Sequence, residues 1–341
     1  MAVWAVAGAF AVAGGEAIRR RGRSRRGDHR VFILEYHDVG PDGDEREGVV
    51  SASRLRRHLR FLGRRYRIVS LAEAVAALGA PGGLREDLVV ITFDDGYAGN
   101  YEHAWPVLRD ERVPATIFVT TGFLDGRELW FDLADRCLDA ATSEAVLHAI
   151  DDPALRRALG PRFSRDERAA VRAWLKTLPA GRRDAVLDDL RRACTPRPSS
   201  TRPLRWAQVR ELRDAGIEIG CHTVSHPILS TLPASEQLRE VTEARDRIAE
   251  ELGSVPRFFA YPNGASGDFT DETMHILREA GFAAACTTVR GSNAPSCDPL
   301  RLGRIGVGAE PCAVLAARLS GLLDETIRTR LHAWREHARA R

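Results

Sequence analysis

Lysine is nearly missing from this chain. Its 341 residues include 50 that are Lys or Arg, and Lys176 is the single lysine. So uniform a bias reads as the mark of GC-rich coding rather than of guanidinium chemistry. Also missing is any C-x-x-C pair or metal-finger spacing among the six cysteines, at 137, 194, 221, 286, 297 and 312. That excludes a finger-type structural zinc site, and a large domain needs no disulfide staples, so burial is the default for each thiol. Apolar runs are short: residues 2–14 fall below the ~20 residues of a comfortable membrane span, and no basic residue precedes them as a secretory signal requires. There is no internal repeat. With 44% hydrophobic and 28% charged residues, the composition excludes a wholly disordered, collagen-like or multi-span chain.

Charge of either sign is nearly balanced, at a formal +3, but it is unevenly placed. Residues 1–30 carry seven arginines against Glu16 and Asp28, and residues 323–341 carry five against Asp324, Glu325 and Glu336. The body from 31 to 322 is therefore mildly acidic, which excludes an extended nucleic-acid surface. The chain divides into an apolar then Arg-rich N-terminal tail (1–30), a body (31–322) and a basic C-terminal tail (323–341). Three readings fit the N-terminal stretch: an interfacial anchor whose arginines meet anionic lipid at the membrane surface, the end of a longer segment lost to a misplaced start codon, or a disordered arm.

Through the body, β-rich apolar runs alternate with helical patterns. Strands are expected at 31–36, 88–93, 115–120, 217–220, 257–260, 282–286 and 302–307, with helices between them. Repeated βα units imply a parallel sheet, and seven or eight strands favour closure into an α/β barrel. Between about 124 and 204 the pattern changes to helices at 132–150, 164–178 and 181–193 with no strand. This marks a helical insertion at a strand exit, where barrels carry function.

Four strand ends offer polar residues. Leu88–Phe93 leads into Asp94, Asp95 and Gly96: the two carboxylates end a buried strand, and either could instead cap a helix or solvate a turn. His222 and His226, four apart, meet one metal ion if their segment makes a single helical turn, although a capping or core role is an even alternative. Pro227 biases that turn to end at His226. Asp95 would complete a His₂Asp set with coordination positions left open, a catalytic rather than structural composition. Tyr261 to Gly264 form a third strand end, and His37 a fourth, each of which is unremarkable alone. Their meeting on one rim is an active-site signature.

At these residues the chain resembles the polysaccharide deacetylases of carbohydrate esterase family 4, the NodB-homology domain. Thr92-Phe-Asp-Asp-Gly96 matches the first motif and His222-Thr-Val-Ser-His226 the second, with a likeness spanning about residues 31–308. The resemblance implies a distorted (β/α)7 barrel with a helical insertion. It also implies removal of N-acetyl groups from an N-acetylated glycan using one divalent metal, zinc first, with cobalt or nickel as alternatives. By the same likeness Asp94 is the general base, and Asp95, His222 and His226 are the metal ligands. Two departures stand out. Ala260-Tyr-Pro-Asn-Gly264 replaces an Arg-Pro-Pro-Tyr-like third motif, and no late Leu-x-x-His follows Leu302-Gly-Arg-Ile-Gly-Val307. Both are similar to the branch of poly-N-acetylglucosamine deacetylases with an early Tyr-His. That makes His37 the general acid and assigns Arg304 to orient Asp94.

Tyr261 and a backbone N–H near Asn263 are expected at the acyl oxygen. Trp130, Phe131 and Asp132 are expected either to stack on and hydrogen-bond a sugar or, equally, to pack helices. The resulting expectation is a glycan N-deacetylase, with the cell envelope or extracytoplasmic face favoured and the cytoplasm as the alternative. Its rivals are a metal-dependent hydrolase of a small non-sugar amide and a non-catalytic glycan-binding protein of the envelope.

Overall fold

The structure, a computed structural model, describes residues 14–44, 46, 48–159, 164–196, 199 and 201–321. The expected C-terminal tail at 323–341, and all but residue 14 of the apolar stretch at 2–14, lie outside the described residues. Seven parallel strands form the barrel: β1 (Val31–Tyr36), β2 (Leu88–Phe93), β3 (Thr116–Val119), β4 (Glu218–Cys221), β5 (Phe258–Ala260), β6 (Ala284–Arg290) and β7 (Leu302–Gly306). β1 closes the ring, pairing with β2 from Val31↔Leu88 to Tyr36↔Phe93 and with β7 at Ile33↔Arg304. Every residue of β1 and β2 is buried, which is why both read as near-continuous apolar runs rather than alternating ones. Ile33, Val90, Phe118, Phe258 and Leu302 share one core cluster, while Leu34, Ile91, Ile117, Phe259 and Ile305 belong to another. Opposite faces of each strand thus feed separate cores.

Helix α1 is Gly15–Arg25, α2 Ala52–Gly63, α3 Leu71–Leu78, α4 Trp105–Glu111 and α5 Thr121–Leu124. The insertion supplies α6 (Trp130–Ala140), α7 (Ser143–Ala149), α8 (Pro153–Ala158), α9 (Arg165–Thr177) and α10 (Ala180–Ala193). Helices α11 (Trp206–Asp214), α12 (Ala234–Leu252), α13 (Asp271–Glu279) and α14 (Cys312–Leu319) complete the described chain. Ser51 caps α2 by accepting from Arg54 N, and Ser70 with Glu73 forms a capping box at α3.

Three local expectations change. The single helix at 132–150 is two, because Thr142 accepts from Ala145 N and starts α7 afresh. Helix α8 was not anticipated; Asp152 accepts from Ala154 N and Leu155 N, with Pro153 preorganised at the first helical position. The sixth strand starts at Ala284 and runs to Arg290 rather than over 282–286, since Phe282 N still bonds Leu277 O at the exit of α13.

The insertion has its own core, with Ala134, Leu138, Val171, Leu175, Val186 and Leu190 fully or nearly buried. Within it burial pushes the Cys137 thiol up to about 12, with Cys194 nearby. The Arg-rich segment expected as tail folds as α1 against the body: Arg23 donates to Asp87 at 2.8 Å, Arg20 to Arg65 O at 2.6 Å and Arg19 to Ser320 O at 3.0 Å. Among the described residues no helix is long and apolar enough to cross a membrane.

Candidate active site

All the polar strand ends foreseen in the sequence reach one mouth of the barrel. Asp94 comes directly after β2, its backbone N–H donating to Tyr36 O of β1 at 3.0 Å. Its carboxylate is gripped by both terminal nitrogens of Arg304, Nη1 to Oδ1 at 2.7 Å and Nη2 to Oδ2 at 2.6 Å. Arg304 lies on β7 wholly buried, its Nε donating to Thr287 O at 2.9 Å. Burial pushes the Asp94 carboxyl up, but the Arg304 guanidinium, with His222 and His37 nearby, holds it below the usual carboxylate range. Such a bidentate pair fixes orientation as well as charge.

Asp95 turns the other way. Its φ of 73° is in the left-handed region, and Gly96 is next at 85°, where a Cβ would meet Leu124 Cδ1 at 2.9 Å. No helix begins at Asp95: the next helical turn starts at Asn100, capped by Gly99, so the capping alternative fails. Its Oδ1 lies 3.5 Å from His222 Nε2 and 3.4 Å from His226 Nε2. His222 Nδ1 is 2.7 Å from Ala260 O; donation to that carbonyl leaves Nε2 with its lone pair toward Asp95. Burial lowers His226 to about 3, keeping its ring neutral as a ligand must be.

The expected single helical turn between the histidines is not what unites them. Thr223 and His226 take φ of 66° and 56°, and His226 N donates back to Thr223 Oγ1 at 3.1 Å. The loop is tied down by Glu240, which accepts from Val224 N and Ser225 N, both at 2.9 Å.

A divalent cation fits these residues. The ligand atoms of Asp95, His222 and His226 lie within 4.8 Å of one another, and Asp95 Oδ1 is buried with no hydrogen-bond partner among the described residues. Two imidazole rings and a carboxylate form a donor set for a borderline transition metal. A second group, Glu35, His37 and Asp94, converges beside it. His37 sits at the exit of β1, its side chain half exposed, with Nε2 3.7 Å from Glu35 Oε1. Glu35 escaped the sequence reading, yet Glu35 Oε2 stands 3.5 Å from Arg304 Nε. The available signal was a carboxylate in an otherwise apolar buried strand.

These groups open into a cavity of about 700 Å³ lined by Asp94, Asp95, His37, Asn263, Phe131 and Asp132 among others. Asn263, at φ 57°, has a buried side-chain Nδ2 with no partner among the described residues. Tyr261 lines the cavity too, but its hydroxyl donates to Leu300 O at 2.8 Å and its N–H to Cys286 O, leaving neither for the acyl oxygen. Trp130 is buried and does not line the cavity; its Nε1 donates to His226 O at 3.0 Å. Of the two expectations for Trp130, packing holds and sugar stacking does not. Asp132, which burial pushes up to about 6, accepts from Thr201 Oγ1 at 2.8 Å. The insertion also brings Asp135, Arg172 and Lys176 to the cavity wall.

The polysaccharide deacetylase family model matches residues 82–285. YxkH of Bacillus subtilis (strain 168), which carries a polysaccharide deacetylase name, is 21% identical over 264 residues, covering 77% of this chain and 66% of its own length. The chain thus spans just under two thirds of that relative. Among solved structures, IcaB from Ammonifex degensii superposes with a TM-score of 0.59 at 22% identity, covering 86% of this chain and 97% of that one. The Streptococcus pyogenes deacetylase PplD, solved in complex with acetate, gives 0.57 at 20% identity, with 84% and 96% covered. These likenesses establish a shared fold, and the family match runs through both motifs that build the mouth. The chain belongs to the polysaccharide deacetylase family.

Proposed function

We propose that this protein hydrolyses N-acetyl groups from N-acetylhexosamine units of a poly- or oligosaccharide, with one divalent cation held by Asp95, His222 and His226, zinc being the first choice. The observation that carries this reading is a carboxylate held ionised by a buried arginine, Asp94 on Arg304, directly beside an unsatisfied His₂Asp cluster. A cation bound there would supply Lewis acidity, acidifying water and polarising the acyl oxygen.

The remaining chemistry belongs to the chain. Asp94 takes the proton of the attacking water, and its grip by Arg304 keeps the carboxylate aimed while it does so. Asn263 Nδ2, a buried donor otherwise unspent, suits the oxygen that gains charge as the amide carbon becomes tetrahedral. His37, the exposed ring of the second group, gives a proton to the departing amine. A cavity of about 700 Å³ exceeds the needs of a small amide and favours a sugar chain. A glycan substrate also suits work at the cell envelope or outside the cytoplasmic membrane.

The test is acetate release from N-acetylglucosamine oligomers of increasing length with added Zn²⁺, Co²⁺ or Ni²⁺, comparing wild type with Asp94→Asn. Turnover that rises with length and vanishes in the variant supports the reading. Turnover only on short non-sugar amides would replace the substrate class, and equal rates in both proteins would remove Asp94 as base.

A further inference from the structure

Trp130 lies outside the cavity, yet it touches the backbone of a residue in the His₂Asp cluster. His226 adopts a left-handed φ of 56°, and Pro227 after it offers no N–H. Elsewhere in this loop the chain itself supplies the restraints: Thr121 N donates to Thr223 O at 3.1 Å, Gly122 N to Val224 O at 2.8 Å, and Glu240 accepts from Val224 and Ser225. The buried bond to the His226 carbonyl comes from the insertion, from Trp130 Nε1 at 3.0 Å. The indole is fixed in turn. The Arg183 guanidinium, itself 3% exposed, lies 4.5 Å from the ring centroid. Phe131, next along α6, sets its ring edge-on to the His226 imidazole at 4.9 Å.

We propose that Trp130 is a positioning residue, and that with Arg183 behind it the helical insertion latches His226 in the conformation that aims Nε2 at Asp95. A strained backbone persists only where its surroundings over-determine it. Without the indole N–H, the His226 carbonyl would be a buried acceptor left unpaired, and the loop could relax by turning that peptide. A relaxed peptide carries the ring away from Oδ1 of Asp95. The insertion therefore acts on cation affinity, through its first turn, as well as on the cavity wall. This inference rests on the reading of Asp95, His222 and His226 as cation ligands.

The experiment titrates Zn²⁺ or Co²⁺ into metal-stripped full-length protein and measures the dissociation constant by calorimetry or chelator competition. Trp130→Phe keeps the ring and loses the N–H, and should weaken binding by roughly 10- to 100-fold, as loss of a bond that orients a ligand does. Arg183→Met keeps the packing and loses the cation, and should weaken binding in the same direction by a few fold. The thermal midpoint of the metal-free protein separates these effects from misfolding: it should move little in either variant. Unchanged Zn²⁺ affinity in Trp130→Phe, with a raised KM for glycan, would overturn the latch and return Trp130 to the substrate wall. Affinity falling only in step with the metal-free midpoint would overturn it too. A wild-type chain that binds no divalent cation would instead sink the ligand assignment itself.

Discussion

The barrel mouth and the helical insertion solve opposite problems. At the mouth, charged groups are buried on strand ends and held by one another: Arg304, Asp94 and Glu35 share one ion network with almost no solvent. In the insertion most charges lie outside, paired at the surface as in Arg172–Asp135 and Arg182–Asp151 around an apolar core, with Arg183 a buried exception. The first arrangement is costly to assemble and stiff, which suits proton transfer. The second is tolerant of change, which suits the shaping of a cavity wall. Trp130 and Phe131 are points where the two regions touch, both at His226.

Substitutions in the two regions should differ in size of effect. Asp94→Asn should lower kcat by about 10³-fold or more while leaving Zn²⁺ affinity near wild type, measured by acetate release alongside metal titration. Arg304→Gln comes next. It strands Asp94 as a buried unpaired carboxylate and takes the same cation from Glu35, so a stability loss on the order of 3–5 kcal/mol should appear in denaturant unfolding. The same variant leaves burial to push Asp94 upward, so its carboxylate form is reached only at higher pH. The acid limb of the rate profile should therefore move up, and a limb that stayed in place would separate Arg304 from the base.

His37→Gln should cost about 10²-fold in kcat in the acetate-release assay, since the departing amine loses its proton source. Smallest should be Arg172→Ala and Lys176→Ala on the insertion wall. A partly exposed contact is worth up to about 1 kcal/mol, so KM should rise by no more than about fivefold with kcat unchanged. An insertion variant of this kind that lowered kcat as far as His37→Gln would erase the division between the two regions.

Much of the mouth was legible because parallel barrel strands announce themselves. Leu88–Phe93 is apolar at nearly every position, and the residues just past the end of such a strand must lie on the rim. His37, a strand end whose role the likeness supplied, and Arg304, which the likeness alone suggested, fall outside the matched span of 82–285, and only the closure of β1 onto β7 and β2 explains their nearness to Asp94. Glu35 was hidden because a single carboxylate in an apolar strand is locally an anomaly without a partner, and its partner lies 269 positions on, in Arg304. The left-handed conformations at Asp95, Thr223, His226 and Asn263 were beyond a sequence reading altogether. None of these is glycine; Asp, His and Asn visit this region more readily than most residues, but Thr223 is a β-branched outlier that its tertiary contacts must hold. Trp130 misled for a different reason: an aromatic at the opening of an insertion looks alike whether it faces a sugar or a peptide carbonyl.

Helix α1 carries a consequence for orientation. It immediately precedes β1, and its bonds reach Tyr66 and Asp87, residues that stand just before the strands Arg67–Ile68 and β2 begin. α1 is thus fastened to the end of the barrel where the strands start, and the cavity opens at the end where they finish. The described chain therefore begins, at residue 14, beside the floor of the barrel and away from its mouth.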